Sequence, residues 1–240
     1  ADIIMALDEC PPGTSDYAYA KKSLGLTHRW LDRCFKRFNE TEPLYGYSQS
    51  LFPIVQGCTF KDLRRESAEF VASKNADGNA IGGLAVGEPA EVMYEMIEVV
   101  NEILPKEKPR YLMGVGTPCN ILEAVHMGVD FFDCVMPSRN ARHGNLFTWE
   151  GKINLLNEKY MKDPRPIGLT CDCPTCRNYS RSYIRHLIKA KESLGMRLAV
   201  THNLYFYNNL TRKIREALEG GYFESFYQKY RLILGERCPD

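Results

Sequence analysis

A chain of 240 residues with 44% hydrophobic content can bury a sizeable core, as one large domain or one domain with an appendage. Its formal net charge of +1 excludes capture of nucleic acid through a global positive field, so any such binding must come from a local patch. No run approaches the roughly 18 consecutive apolar residues of a membrane span. The nine cysteines look like reduced thiols and ligands rather than a disulfide framework. Cys34, Cys58 and Cys134 stand alone in apolar or helical contexts, as does Cys10, so a cytoplasmic location is expected.

Five short apolar segments recur, at 3–7, 51–55, 79–84, 111–115 and 131–135, most of them followed by a stretch of helical period. Helix 27–38 carries Trp30, Leu31, Cys34, Phe35 and Phe38 at helical spacing. Thr59 is expected to cap the next, which runs to about residue 73. Pro89 opens a third with Val92, Met93, Met96, Ile97 and Val100 on one face, and 120–127 forms a short fourth. Alternating strands and helices predict a parallel sheet with helices outside it.

Asp8, Gln56, Gly82-Gly83, Met113-Gly114 and Asp133 all fall at strand ends, where a TIM-type (β/α) barrel builds its active site. Five units are too few to close eight strands, and the chain is already in a strand by residue 3. We therefore expect the carboxyl-terminal part of a longer barrel. An open doubly wound sheet is the alternative, but no Gly-x-Gly-x-x-Gly follows the first strand.

Residues 130–149 hold the densest chemistry. Asp133 is set inside the apolar run Phe131, Phe132, Cys134, Val135 and Met136; Pro137 is expected to stop the strand; and Arg139 and Arg142 follow. A carboxylate in a buried strand is costly unless it is paired or has chemistry to do. Guanidinium groups beside it suit a phosphate-bearing ligand.

From about residue 150 the pattern changes, which suggests a barrel part at 1–149 and a second subdomain at 150–240. A β-like piece at 147–155 leads to the Pro-rich loop Asp163-Pro164-Arg165-Pro166, then to helices near 178–194 and 203–218. Between them Cys171, Cys173 and Cys176 present three thiolates around a tight turn, a metal-ligand pattern that needs a fourth donor. His202 and His186 are the candidates. Four protein ligands would leave no open position, so one structural Zn2+ is expected. Arg177, Arg181, Arg185 and Lys189 follow at i, i+4 spacing and would line one helix face, either solvated or covered by a phosphate backbone.

Together these segments resemble the tRNA-guanine transglycosylases, also called queuine tRNA-ribosyltransferases. The marks are Asp8-Glu9-Cys10, Val55-Gln56-Gly57, Gly82-Gly83-Leu84-Ala85-Val86-Gly87-Glu88, Tyr111 to Gly116, Phe132-Asp133-Cys134-Val135-Met136-Pro137 and Cys-x-Cys-x2-Cys with a distant His. The resemblance covers essentially the whole chain. It implies a TIM-type barrel with a zinc subdomain that exchanges the wobble guanine of tRNAs with GUN-type anticodons for the 7-deazaguanine preQ1. Asp133 is then the nucleophile on the ribose, and Asp8, Gln56 and the Gly83 amide, with Leu84 beside it, read the base edge. Met113 packs on the base plane, while Cys10 and Val86 mark the bacterial type. Gly114, Val115, Gly116, Thr117, Pro118, Cys119 and Asn120 match one RNA-contacting loop, and Ser138, Arg139, Asn140, Ala141 and Arg142 another; Arg181 and Arg185 are further phosphate candidates. Cys171, Cys173, Cys176 and His202 match the zinc ligands, and a homodimer is implied. The family also places a proton-accepting aspartate and a stacking aromatic on an upstream Ser-Gly-Gly segment that these residues lack. The competing expectations are a non-catalytic zinc-stabilised RNA-binding module or partner subunit, and a barrel hydrolase with a structural zinc.

Overall fold

A computed structural model describes residues 1–43 and 45–238. They form two compact units: residues 1–115 with 124–133, and residues 116–123 with 134–238.

The first unit is built from short parallel strands and the helices between them. Strands β1 (Ile3–Met5) and β2 (Ser50–Phe52) pair in one sheet; β3 (Ile54–Val55), β4 (Asn79–Ile81), β5 (Arg110–Leu112) and β6 (Phe131–Phe132) form another. Among the described residues the neighbours in these two sheets are all parallel and follow chain order, so the sheets show no reversal of strand order and hence no doubly wound switch point. This is the connectivity of part of a TIM-type barrel. The expected strand 51–55 is two strands, because Pro53 has no N–H to give to a ladder.

Helix α1 (Tyr17–Asn39) starts well before the expected 27–38, since the Asp16 carboxylate caps it by accepting from Tyr19 N at 2.8 Å. It buries Ala20, Ser23, Leu24, Thr27 and Leu31, at helical spacing. Helix α2 (Lys61–Ala72) follows β3 and α3 (Ala90–Asn101) follows β4, while α4 (Pro118–His126), which follows β5, has its residues 118–123 in the second unit. Thr59 does not cap α2: the N-cap position is Phe60, with no side-chain hydrogen bond. Pro89 stands at the N-cap of α3 as expected. The core gathers Val55, Ile81 and Leu112 from the strands and Leu31, Val71, Met96 and Ile97 from the helices. Each such side chain contributes about 1.5–3 kcal/mol when fully withdrawn from water. Strand β4 is buried along its whole length, as a strand covered on both faces must be.

In the second unit, helix α5 (Met136–Arg142) precedes the antiparallel hairpin β7 (Asn145–Thr148) and β8 (Gly151–Asn154). Pro137 lies in the first turn of α5, where its missing N–H costs nothing, so residues 138–142 are helical rather than a loop. The division expected at 149/150 falls at the turn of this hairpin. Short helix α6 (Pro174–Asn178), α7 (Arg181–Lys189), long α8 (Ser193–Glu219) and α9 (Phe223–Tyr230) complete the unit. Its core joins Leu146, Ile153, Leu155 and Ile167 to Ile184 and Ala199. Asn203 of α8 stitches it together, accepting from Phe147 N and donating to Pro137 O and Asn145 O.

Candidate functional site

The strand ends of the first unit carry the polar groups. Asp8 follows β1, Gln56 follows β3, Gly82-Gly83 follow β4, Met113-Gly114 follow β5 and Asp133 follows β6. Gln56 is 2% exposed, and its Nε2 donates to Asp8 Oδ2 at 2.6 Å. Its Oε1 is buried without a hydrogen-bond partner among the described residues. A buried orphan acceptor costs about 1–3 kcal/mol, a penalty that a ligand donor would remove. Gly83 has φ +64, and a Cβ there would lie 2.1 Å from that same oxygen. Only glycine leaves the space open. Leu84 is buried beside it, while Cys10 and Val86 are exposed. Glu88 holds the intervening turn, accepting from Ala85 N and, at 3.0 Å, from Val86 N.

Asp133 is exposed and lies one residue beyond β6, not inside a buried strand as expected. Its Oδ1 accepts from Tyr111 Oη at 2.7 Å and from Gly114 N at 2.9 Å. Among the described residues no donor takes Oδ2. Burial, with the Asp133 hydrogen bond second, pushes the Tyr111 phenol up to about 12, so it remains a donor at neutral pH. Tyr111 in turn stacks on Phe131 with ring centroids 4.6 Å apart. The carboxylate is thus anchored through one oxygen and open at the other. Tyr111 was not foreseen as its support; the signal was available in its alignment with Phe131, two residues before Asp133 on the neighbouring strand.

The expected RNA-contacting residues are placed unevenly. Gly114, Arg139 and Arg142 are exposed; Thr117, Cys119, Asn120, Ser138 and Asn140 are half-buried. Val115, Gly116 and Pro118 are buried, with the Gly116 carbonyl accepting from Tyr207 Oη at 2.5 Å. Ala141 lies in the core of the second unit.

The expected basic face does not form. Ser180 caps α7 by accepting from Tyr183 N, so Arg177 belongs to a different helix from Arg185 and Lys189. Arg181 is only 5% exposed; it pairs with Asp163 at 3.2 Å and donates to Ile167 O at 2.7 Å. A guanidinium so enclosed is spent on the fold, which removes Arg181 from the phosphate candidates. Arg185 is half-buried, and its Nε donates to Asn157 O at 3.0 Å.

Cys171, Cys173, Cys176 and His202 converge in the second unit, their ligand atoms all within 4.8 Å of one another. His202 Nδ1 lies 3.8, 3.6 and 3.4 Å from the three sulfurs in that order. A tetrahedral ion with M–S about 2.3 Å and M–N about 2.05 Å has S···N edges of about 3.6 Å, so the donor set fits one metal ion. The other ring nitrogen, Nε2, is 2.9 Å from Phe147 O, which fixes the tautomer that frees Nδ1 for the ion. Backbone amides of Cys176 and Gly168 reach the Cys173 and Cys176 sulfurs. His186 is exposed on α7 and outside this cluster.

One unit with parallel β/α connectivity and polar strand ends, and another holding a Cys3His set able to bind one metal ion, define a barrel-derived protein with a candidate metal site. The family model for queuine tRNA-ribosyltransferase matches residues 1–233, and the chain belongs to that family. It is 56% identical over 230 residues to the queuine tRNA-ribosyltransferase of Clostridium perfringens strain SM101, covering 95% of this chain and 60% of that protein. It is 55% identical to the enzyme of that name from Clostridium botulinum strain Hall, over 95% of this chain and 61% of the relative. The chain therefore spans about three fifths of the length of these relatives.

Proposed function

We propose that the chain carries the nucleophile and base-reading edge of a tRNA-guanine transglycosylase. The observation that carries this reading is Asp133, anchored through Oδ1 by Tyr111 and Gly114 and open at Oδ2, after a strand that pairs with the one bearing Met113, which pairs in turn with the one bearing Gly83. In the first step Asp133 Oδ2 attacks C1′ of the wobble guanosine. The C1′–N9 bond breaks and its electron pair leaves with guanine, which takes up a proton. The ester so formed is then attacked by N9 of preQ1, which loses its N9 proton and restores the carboxylate. Covalent catalysis divides one hard displacement into two easier ones. The base must first leave the anticodon stack to reach the site.

The neutral purine edge explains why a carboxylate stands in a base pocket. Asp8 accepts from the N1–H and exocyclic amine of guanine, and the Gln56 amide and Gly83 backbone complete the edge. Met113, half-buried at the end of β5, packs against the base plane. Cys10 and Val86 support preQ1 as the incoming base, and Arg139, Arg142 and the exposed part of 114–120 support contacts to a tRNA with a GUN anticodon. The Cys3His set supports zinc, since thiolate and imidazole donors in a closed tetrahedron suit that ion. Cys171, Cys173, Cys176 and His202 would hold it as a structural clamp with no coordination position left for substrate. A cytoplasmic homodimer completes the reading. Among the described residues no helix is long and apolar enough to cross a membrane.

The test is a chimera in which this chain replaces the matching part of the Clostridium perfringens relative. Labelled guanine should enter tRNA, and preQ1 should compete. A folded chimera that binds tRNA but exchanges no base would support the non-catalytic module instead.

A further inference from the structure

Arg64 of α2 is wholly buried, and among the described residues no carboxylate lies within ion-pair distance of it. Its donors go to carbonyl oxygens instead. Nε reaches Cys58 O at 2.7 Å, Nη1 reaches Gly82 O at 2.7 Å and Val55 O at 3.3 Å, and Nη2 reaches Gly83 O at 2.9 Å. Val55 ends β3, Cys58 lies in the loop behind it, and Gly82-Gly83 follow β4. One planar fork therefore ties together the two loops that carry Gln56 and Gly83. Burial lowers this guanidinium to about 10, so it is still charged at neutral pH.

The backbone is shaped to this clamp. Cys58 has φ +50, a left-handed conformation uncommon outside glycine. Gly57 has φ +134, and a Cβ there would meet Arg64 N and the Leu63 carbonyl carbon at 2.9 Å, so only glycine lets α2 approach this closely. A Cβ built at Gly83 lies 2.1 Å from Gln56 Oε1 and 3.5 Å from Arg64 Nη2, which puts all three groups in one neighbourhood.

We infer that Arg64 is a positioning residue for purine recognition: by holding the 55–58 and 82–83 segments at fixed spacing, it sets the distance between the Gln56 amide and the Gly83 backbone. This rests on the base-reading role proposed above. Arg64 itself touches no substrate. Lysine cannot replace it, because an ammonium is a point donor that cannot span carbonyls on two loops.

The experiment compares the 240-residue chain with Arg64→Lys and Arg64→Met by hydrogen exchange, and titrates each with preQ1 by calorimetry. In a folded Arg64→Lys protein, exchange should rise at least about tenfold in the 56–60 and 82–88 segments and stay protected in α3 and β5. Affinity for preQ1 should fall about tenfold or more, the loss expected when hydrogen bonds from a charged group go. A uniform rise in exchange, unchanged exchange and affinity, or unfolding of both variants would overturn the inference and assign Arg64 to the fold alone. If the wild-type chain takes up no preQ1 while Arg64→Lys loosens only those two loops, Arg64 is shown to clamp the loops, but the base-reading role falls and the inferred part in purine recognition falls with it.

Discussion

The Gln56 side-chain amide donates to the Asp8 carboxylate at 2.6 Å across 48 positions of sequence, joining the end of β3 to the end of β1. The bond fixes the orientation of the Gln56 amide, because turning it over would set its carbonyl against a carboxylate. Gln56 Oε1 is thereby left as a buried acceptor awaiting a donor, beside the space that Gly83 keeps open.

Asp8→Asn should weaken purine binding in particular. The new amide must turn its NH2 end toward either the donor edge of guanine or the Gln56 amide, leaving polar groups unpaired at roughly 1–3 kcal/mol, about 5- to 150-fold in affinity. Calorimetric titration with guanine measures this, and equal affinity in the variant would remove Asp8 from the base edge.

Gly83→Ala should destabilise the first unit and close the space beside Gln56. Alanine at φ +64 costs about 1 kcal/mol, and the contact at 2.1 Å adds about 1–3 kcal/mol of overpacking. Urea unfolding reports the stability and a guanine titration the lost site.

Cys173→Ser should lower both metal content and thermal stability. Elemental analysis of the wild type should find about one zinc per chain, and a strong chelator should reproduce the loss of stability. A stable wild-type protein without metal would contradict the clamp.

Asp163 makes an acid-sensitive tie in the second unit. Hydrogen bonding from Arg165 foremost, and then from Arg181, holds its carboxyl well below the usual carboxylate value, although burial opposes the shift. A folded value below the unfolded one means that this stability is present above about pH 4 and is lost as pH falls further. Asp163→Asn should lower stability at neutral pH and flatten its decline in acid, as denaturant midpoints from pH 7 to pH 2 would show. Arg181→Ala should likewise lower stability while leaving the salt dependence of tRNA binding unchanged, the opposite of a phosphate contact.

The parallel order and the polar strand ends were legible because most strands are short apolar runs that close on Asp8, Gln56, Gly82, Gly114 or Asp133. The metal set was legible because three thiolates in one turn have few other uses, although spacing alone left His202 and His186 open and only the family resemblance pointed to His202. Local patterning misled where tertiary contacts decide. Pro53 divides an apolar run that looks continuous, and Ser180 restarts the helix within an unbroken basic spacing. Arg181 reads as a surface cation until Asp163 is brought to it from 18 residues away. Arg64 gave no signal beyond a helical arginine, because its partners are backbone carbonyls that carry no side-chain signature.

Covalent trapping of tRNA tests the role of Asp133 most directly. The chimera carrying this chain is mixed with tRNA and guanine, denatured, and examined for a protein–RNA adduct. An adduct is expected with the wild type and with Asp8→Asn at raised guanine concentration, and none with Asp133→Asn, whose amide is a far poorer nucleophile than a carboxylate. An adduct that persists in Asp133→Asn and vanishes in Asp8→Asn would contradict the assignment and exchange the roles of the two acids.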